Sequence, residues 1–203
     1  MQYYSFETGG VHVIMIGSYI SDLASKDAAN EQLAWLRADL ATVNRTRTPW
    51  LVGVLHAPWY NSNRVHQHER EEIELREAME QLFHDARVDA IFAGHVHAYE
   101  RSYKVFRQVA NPCGATYINI GDGGNREGLA RKYLPQPDWS AFREASFGHG
   151  ILSVKNKTHL QWSWHRDQDK DRVVSDEVWI AKDPSCSPKL AWRSATMTMG
   201  SKG

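Results

Sequence analysis

Apolar positions come first as unbroken runs separated by stretches of helical spacing, and later in strict alternation. Val11-His-Val-Ile-Met-Ile-Gly17 is nearly continuous, the pattern of a strand buried on both faces. Residues 3–6 precede it across Thr8-Gly9-Gly10, as a hairpin partner would. Over residues 27–43, Leu33, Leu36 and Leu40, with Trp35 and Val43, recur at three and four and predict an amphipathic helix. Thr48-Pro49 then closes a linker, and Trp50-Leu-Val-Gly-Val-Leu55 predicts a second buried strand that runs into His56-Ala-Pro-Trp-Tyr60. A second helix is predicted over residues 69–86, with Ile73, Leu75, Met79, Leu82 and Phe83 on its apolar stripe. Residues 88–93 predict a third strand, which delivers Gly94-His95-Val96-His97 at a sharp turn assigned to Gly94. Strands alternating with helices predict a parallel α/β layer.

Beyond Tyr103 the period changes. Thr116-Tyr-Ile-Asn-Ile120 reads as a strand ending in the turn Gly121-Asp-Gly-Gly124, and Pro135, Pro137 and Trp139 mark a long loop. Residues 151–154, 158–165 and 173–180 alternate and predict an antiparallel meander in a second sheet. The tail from Asp183 carries Ser, Pro and Lys and is expected to be disordered, which leaves residues 1–182 as the folded domain.

A chain of 203 residues is one domain of ordinary size, and zero net charge with a pI near 7.2 gives no support to a nucleic-acid partner. No apolar run approaches the roughly 20 residues of a membrane span. The opening Met1-Gln-Tyr-Tyr-Ser-Phe-Glu lacks the basic and apolar regions of a signal peptide, and the immediate strand suggests that an upstream part is missing. Cys113 and Cys186 could pair with each other, with another segment or with a second chain. Asn44-Arg-Thr46 and Asn156-Lys-Thr158 are glycosylation sequons.

The chemistry gathers at the predicted strand ends. His95 and His97 stand two apart after one strand, and His56 follows another, the places where α/β sheets bind ligands. Three imidazoles there suit a metal: one zinc shared by all three, or two ions dividing them. Two close ions would want a bridging carboxylate, and ferric iron wants oxygen ligands. No carboxylate has a position in the sequence that suggests the role; Asp122 reads as a turn residue shaping its own backbone. His66 and His68, with Arg64, lie on the loop before the second helix, where a histidine could bind an anion or protonate a leaving group. Tyr60 and Tyr99 flank the histidine loops as cleft walls, Glu100 and Arg101 read as a structural ion pair, and His149 as structural.

Val54-Leu-His56-Ala-Pro-Trp-Tyr-Asn and Ala93-Gly-His95-Val-His97-Ala-Tyr-Glu-Arg resemble the last two of the five sequence blocks of plant purple acid phosphatases, within the metallophosphoesterase superfamily. Gly121-Asp-Gly-Gly-Asn-Arg-Glu127, Phe142-Arg-Glu-Ala-Ser-Phe-Gly-His149 and Trp162-Ser-Trp-His-Arg166 extend the resemblance through the chain. It implies an α/β fold, a partial metallophosphoesterase β-sandwich flanked by helices that is four-layered (αββα) when complete. It also implies hydrolysis of phosphate monoesters at ferric iron beside zinc, manganese or ferrous iron. His97 would ligate the iron, His56 and His95 the divalent metal, and His66 would assist departure of the alcohol, after attack on phosphorus by a hydroxide that the metals activate. The first three blocks of the family, with its aspartates, tyrosine and asparagine, have no counterpart here. The chain is therefore expected to be inactive alone, with apolar faces left uncovered. The competing expectation is a non-catalytic fragment that binds metal weakly or offers an interaction surface. Secretion, to the cell wall or vacuole, and homodimerisation are further expectations from the resemblance.

Overall fold

A computed structural model describes residues 3–19, 26–171 and 173–186. A hairpin, β1 (Tyr4–Thr8) and β2 (Val11–Met15), opens the chain. Then come α1 (Lys26–Thr42), β3 (Trp50–Val54), α2 (Arg70–Ala86) and β4 (Ala90–Ala93). β5 (Tyr99–Phe106), β6 (Val109–Ala110), β7 (Ala115–Ile120) and β8 (Ser140–Glu144) complete one mixed sheet, ordered β1-β2-β3-β4-β7-β5-β6 with β8 paired to β5. Within it β2, β3, β4 and β7 are parallel, as the strand–helix alternation predicts. β9 (Gly148–Val154), β10 (His159–Arg166) and β11 (Asp176–Ala181) form the expected antiparallel meander as a separate sheet.

Alternate residues of the central strands feed two cores, which is why β3 and β4 read as unbroken apolar runs. Leu51, Ile91 and Tyr117 face the helices and meet Leu36, Leu40, Leu75, Met79 and Phe83. Val52, Phe92 and Ile118 face the meander and meet Leu160, Trp162, Trp164 and Ile180. The eight-stranded sheet is wider than the three-stranded one packed on it. Tyr4 and Phe6 of edge strand β1 are 50% and 45% exposed, a short apolar strip left uncovered at that edge.

β5 and β8 are strands that periodicity does not predict, because their buried positions include charged groups. Glu100 and Arg101 are both buried but do not pair with each other. Successive side chains on a strand point to opposite faces, so each finds a different partner. Glu100 accepts hydrogen bonds from the Ser62 amide (2.8 Å) and from the hydroxyls of Ser62 and Ser140. Arg101 grips Asp176 of β11 through two N–H groups at 2.7 and 2.8 Å, and the Tyr99 hydroxyl donates to the same carboxylate. Tyr99 is likewise not a cleft wall, and Tyr60, although it borders the small cavity beside His68, is almost fully buried. Tyr60 is buried in the helix-side core with its hydroxyl on Glu80, and Tyr99 stacks on Trp164 between the sheets, 4.4 Å between ring centres.

Asp122 also departs from expectation. Its backbone is in a turn, but its carboxylate is buried and accepts the Trp164 indole N–H at 2.7 Å. Residues 183–186 are placed too: they form a turn whose Cys186 is disulfide-bonded to Cys113, 73 positions away. Closing a loop of that length removes unfolded-chain entropy worth about 4 kcal/mol and ties the end of the meander to the large sheet. Residues 187–203 lie outside the described residues.

Burial raises the Asp122 carboxyl from its ordinary 3.8 to about 7, a rise that the Trp164 hydrogen bond opposes without cancelling. A folded-state pKa above the unfolded one means that the unfolded chain loses its proton first. The contribution of this group to stability is therefore full below about pH 4 and is lost as pH rises through about 7. Asp122→Asn keeps an oxygen for Trp164 and cannot ionise. Denaturant unfolding at pH 4.5 and 7.5 should show a pH-dependent loss, up to about 4 kcal/mol, in the parent and a much smaller one in the variant.

Candidate metal centre

β3 and β4 are adjacent, parallel and in register, so their C-terminal ends reach the same level of the sheet. The ladder continues past both ends: the Leu55 amide donates to the Phe92 carbonyl and the Gly94 amide to the His56 carbonyl, each at 3.0 Å. His56 is thus fixed beside Gly94 and His95. From the other side, the buried Ser18 hydroxyl accepts the amides of His56 and Ala57 at 2.9 and 3.0 Å.

The His95-Val96-His97 loop is a pair of three-residue turns, with the Val96 amide donating to the Gly94 carbonyl (2.7 Å) and the Ala98 amide to the Val96 carbonyl (2.8 Å). The left-handed residue is His95 itself, at φ 62°, and not the glycine before it. A non-glycine residue held there costs on the order of 1–3 kcal/mol and persists because its surroundings over-determine it. β7 supplies those surroundings. Asn119 donates to the carbonyls of Val96 (2.9 Å) and Ala98 (2.5 Å), and Gly121 lies so close that an added Cβ would fall 2.1 Å from the Val96 oxygen.

The side chains gather unequally. His56 Nε2 and His95 Nδ1 are 3.0 Å apart, and the His66 ring lies on the His95 ring at 3.8 Å between centres. Glu69 joins two of them: His66 Nδ1 donates to one carboxylate oxygen (2.7 Å) and His95 Nε2 to the other (2.8 Å). Ligand atoms of His66, Glu69 and His95 lie within 4.8 Å of one another. His97 stands apart with Nδ1 3.8 Å from Glu127, and its carbonyl accepts the Ala130 amide. His56, His95 and His97 do not form one ligand-sized group. His68 lines a different cavity of about 160 Å³ with Trp59 and Glu72. His149 is exposed and paired with Asp167 at 2.8 Å.

Electrostatics follow from this crowding. Burial lowers the pKa of His56, and the positive forms of His95, His66 and His97 lower it further, so the ring is held neutral, as a metal ligand must be. Burial would raise the Glu69 carboxyl, but hydrogen bonds from His66 and His95 outweigh it and hold the group below its ordinary value.

With its Nε2 proton on Glu69, His95 turns the Nδ1 lone pair toward His56 Nε2. Two imidazoles bound to one zinc at 2.0–2.1 Å are about 3.3 Å apart, so the pair sits near the spacing of shared ligands. A carboxylate on the far nitrogen is the usual second support of a ligating histidine. The donor set therefore fits the imidazole share of a divalent site. Among the described residues it holds no bridging carboxylate, since Glu69 lies on the far side of His95.

Two family models match the chain: "Calcineurin-like phosphoesterase" over residues 3–99 and "Iron/zinc purple acid phosphatase-like protein C" over residues 114–177. Purple acid phosphatase 18 of Arabidopsis thaliana is 55% identical over 179 residues, which cover 88% of this chain and 40% of that protein. The chain belongs to the purple acid phosphatase family. Fe(3+)-Zn(2+) purple acid phosphatase 12 of Arabidopsis thaliana is 42% identical over 205 residues, 95% of this chain and 42% of the relative. The solved structure of purple acid phosphatase PPD1 from yellow lupin seeds superposes with a TM-score of 0.76 at 25% identity, over 90% of this chain and 33% of that one. The chain thus spans about 40% of the length of the curated purple acid phosphatases it matches.

Four supporting residues escape sequence reading. Glu69 carries a usable signal, a carboxylate three positions after His66 at the start of a helix. Ser18, Asn119 and Gly121 act through long-range backbone contacts and carry none. The geometry predicts that Gly121→Ala destabilises the fold by about 2–4 kcal/mol, because the added methyl meets a carbonyl that cannot move. Gly94→Ala should cost under about 1 kcal/mol, since its Cβ would sit 3.8 Å from His56 Nδ1. Denaturation midpoints of the two variants test the contrast.

Proposed function

We propose that this chain supplies the imidazole wall of a binuclear centre that hydrolyses phosphate monoesters. The observation that carries the reading is the convergence of His56 Nε2 and His95 Nδ1 at 3.0 Å with Glu69 on the far nitrogen of His95. His56 and His95 would hold the divalent ion, which is zinc, manganese or ferrous iron, and His97 the ferric ion. The iron–zinc pair named for one relative and for one matching family model supports that choice. The oxygen ligands that ferric iron prefers are not among the residues gathered here and would come from other parts of the polypeptide. Bound metals supply Lewis acidity and charge neutralisation at phosphorus.

The chain's own residues orient and move protons. Glu69 fixes the tautomer of His95 and holds His66 by Nδ1, which leaves His66 Nε2 to give a proton to the departing alkoxide. Cys113 and Cys186 pair with each other, so neither would link this segment to a second copy in a homodimer. The disulfide, together with sequons on exposed turns at Asn44 and Asn156, supports a secreted protein. The competing reading is a non-catalytic fragment; absence of hydrolysis from a metal-loaded protein in which this segment is joined to the oxygen-ligand segments would favour it.

Zinc titration of the chain should show His56→Ala and His95→Ala each abolishing binding. Glu69→Gln should weaken it about 10–100-fold. Undiminished binding in the His56 or His95 variants would sink the assignment.

Once this segment is joined to the oxygen-ligand segments, His97→Ala should abolish hydrolysis of 4-nitrophenyl phosphate. His66→Ala should lower turnover about 100-fold with metal content unchanged. Parallel loss of metal and turnover would refute the proton-donor role of His66.

A further inference from the structure

The far end of the large sheet carries a cavity of about 310 Å³ with a different chemistry. Arg45, Arg87, Lys104 and Lys182 border it, against Asp89 and Asp183. Asp89 precedes β4, six residues before His95, which puts the cavity on the order of 20 Å from the histidines at about 3.3 Å per residue.

Its charges do not cancel. Arg45 is spent on Asp89 (3.1 Å) and on the carbonyls of Pro49, Ala86 and Arg87. Asp183, half-buried, accepts the amide (2.8 Å) and hydroxyl (2.6 Å) of Ser185. Arg87 donates to the His84 carbonyl at 2.9 Å. Lys104 and Lys182 carry the surplus. The Lys104 ammonium donates to the Ala181 carbonyl, and that of Lys182 to the Pro49 carbonyl while lying 4.7 Å from the Trp50 ring centre. Each ammonium has three donors, so each keeps two for another acceptor. Burial depresses the pKa of both, the sign of charges not fully compensated, although Asp89 raises each and Asp183 also raises Lys104. The Cys113–Cys186 disulfide pins the 183–186 turn as one wall of this space.

We propose that this cavity binds a small tetrahedral oxyanion of the phosphate or sulfate class between Lys104 and Lys182. The spare N–H donors of two ammonium groups that border one cavity match the several acceptor oxygens of such an ion, and two negative charges offset the lysine surplus. The space also admits water or a substituent on the anion. The inference stands on the cavity alone and does not need the phosphatase reading. Where that reading holds, orthophosphate is a reaction product, and the cavity senses it away from the metals.

The test is isothermal titration of orthophosphate, and separately of sulfate, into the full chain after metal chelation at low ionic strength. Saturable binding of both is expected in the parent and equally in His95→Ala, which separates this site from the histidines. Lys104→Gln and Lys182→Gln should each weaken binding about tenfold, the double variant should remove it, and Lys104→Arg should retain it within a few-fold. Binding unchanged in the double variant, binding lost in His95→Ala, or no saturable binding in the parent each overturns the proposal. A double variant with a parent-like melting transition that no longer binds supports it.

Discussion

Everything at the metal-facing end depends on the parallel register of β3 and β4. Val54 pairs with Phe92, and the next hydrogen bonds along the ladder, Leu55 to Phe92 and Gly94 to His56, form beyond the strands proper. A slip of one residue would reverse every side chain and send His56 toward the opposite face. The register is enforced from both cores at once, because Leu51 and Ile91 bury against the helices while Val52 and Phe92 bury against the meander. Packing on two faces thus determines where two imidazole nitrogens meet. The site inherits its precision from apolar residues that never touch it.

On that frame the histidine loop is clamped, not relaxed. His95 sits at positive φ, an unfavourable backbone that Asn119 and Gly121 hold in place from β7. The strain aims consecutive imidazoles in different directions: His95 toward His56, His66 and Glu69, and His97 toward Glu127. A relaxed extended segment would put residues two apart on the same face. Two close turns of opposite backbone hand separate them, which is the geometry two different ions would require.

The parts of this arrangement that were legible in the sequence are those with local signatures. Unbroken apolar runs marked β2, β3 and β4, helical spacing marked α1 and α2, alternation marked the meander, and strand-end histidines marked His56, His95 and His97. β5 was not legible, because a strand carrying Glu100, Arg101 and Lys104 looks solvated until Ser62, Ser140 and Asp176 arrive from positions 38 to 75 residues away. Asp122 misled for the same reason: Gly-Asp-Gly-Gly is a turn by any local rule, and only the position of Trp164 shows that the carboxylate is drawn inward. Glu69 was overlooked because acidic residues abound at helix starts, where the helix dipole alone explains them. Its side chain makes no cap and reaches back to two histidines.

The two ends of the sheet solve one electrostatic problem in opposite ways. Where the strands end, burial and the positive forms of its histidine neighbours favour the neutral form of His56, so its lone pair stays available for metal. Where the strands begin, lysines are buried to a similar depth but tied to carbonyls, acceptors that favour the charged form and leave donors to spare. Imidazole can shed its proton near neutral pH at little cost, whereas an ammonium resists doing so. Partial burial therefore suits His56 to a cation, while the lysines, with donors to spare, suit an anion. A single mixed sheet, tied to its meander by Arg101–Asp176 and by the Cys113–Cys186 disulfide, holds the two apart.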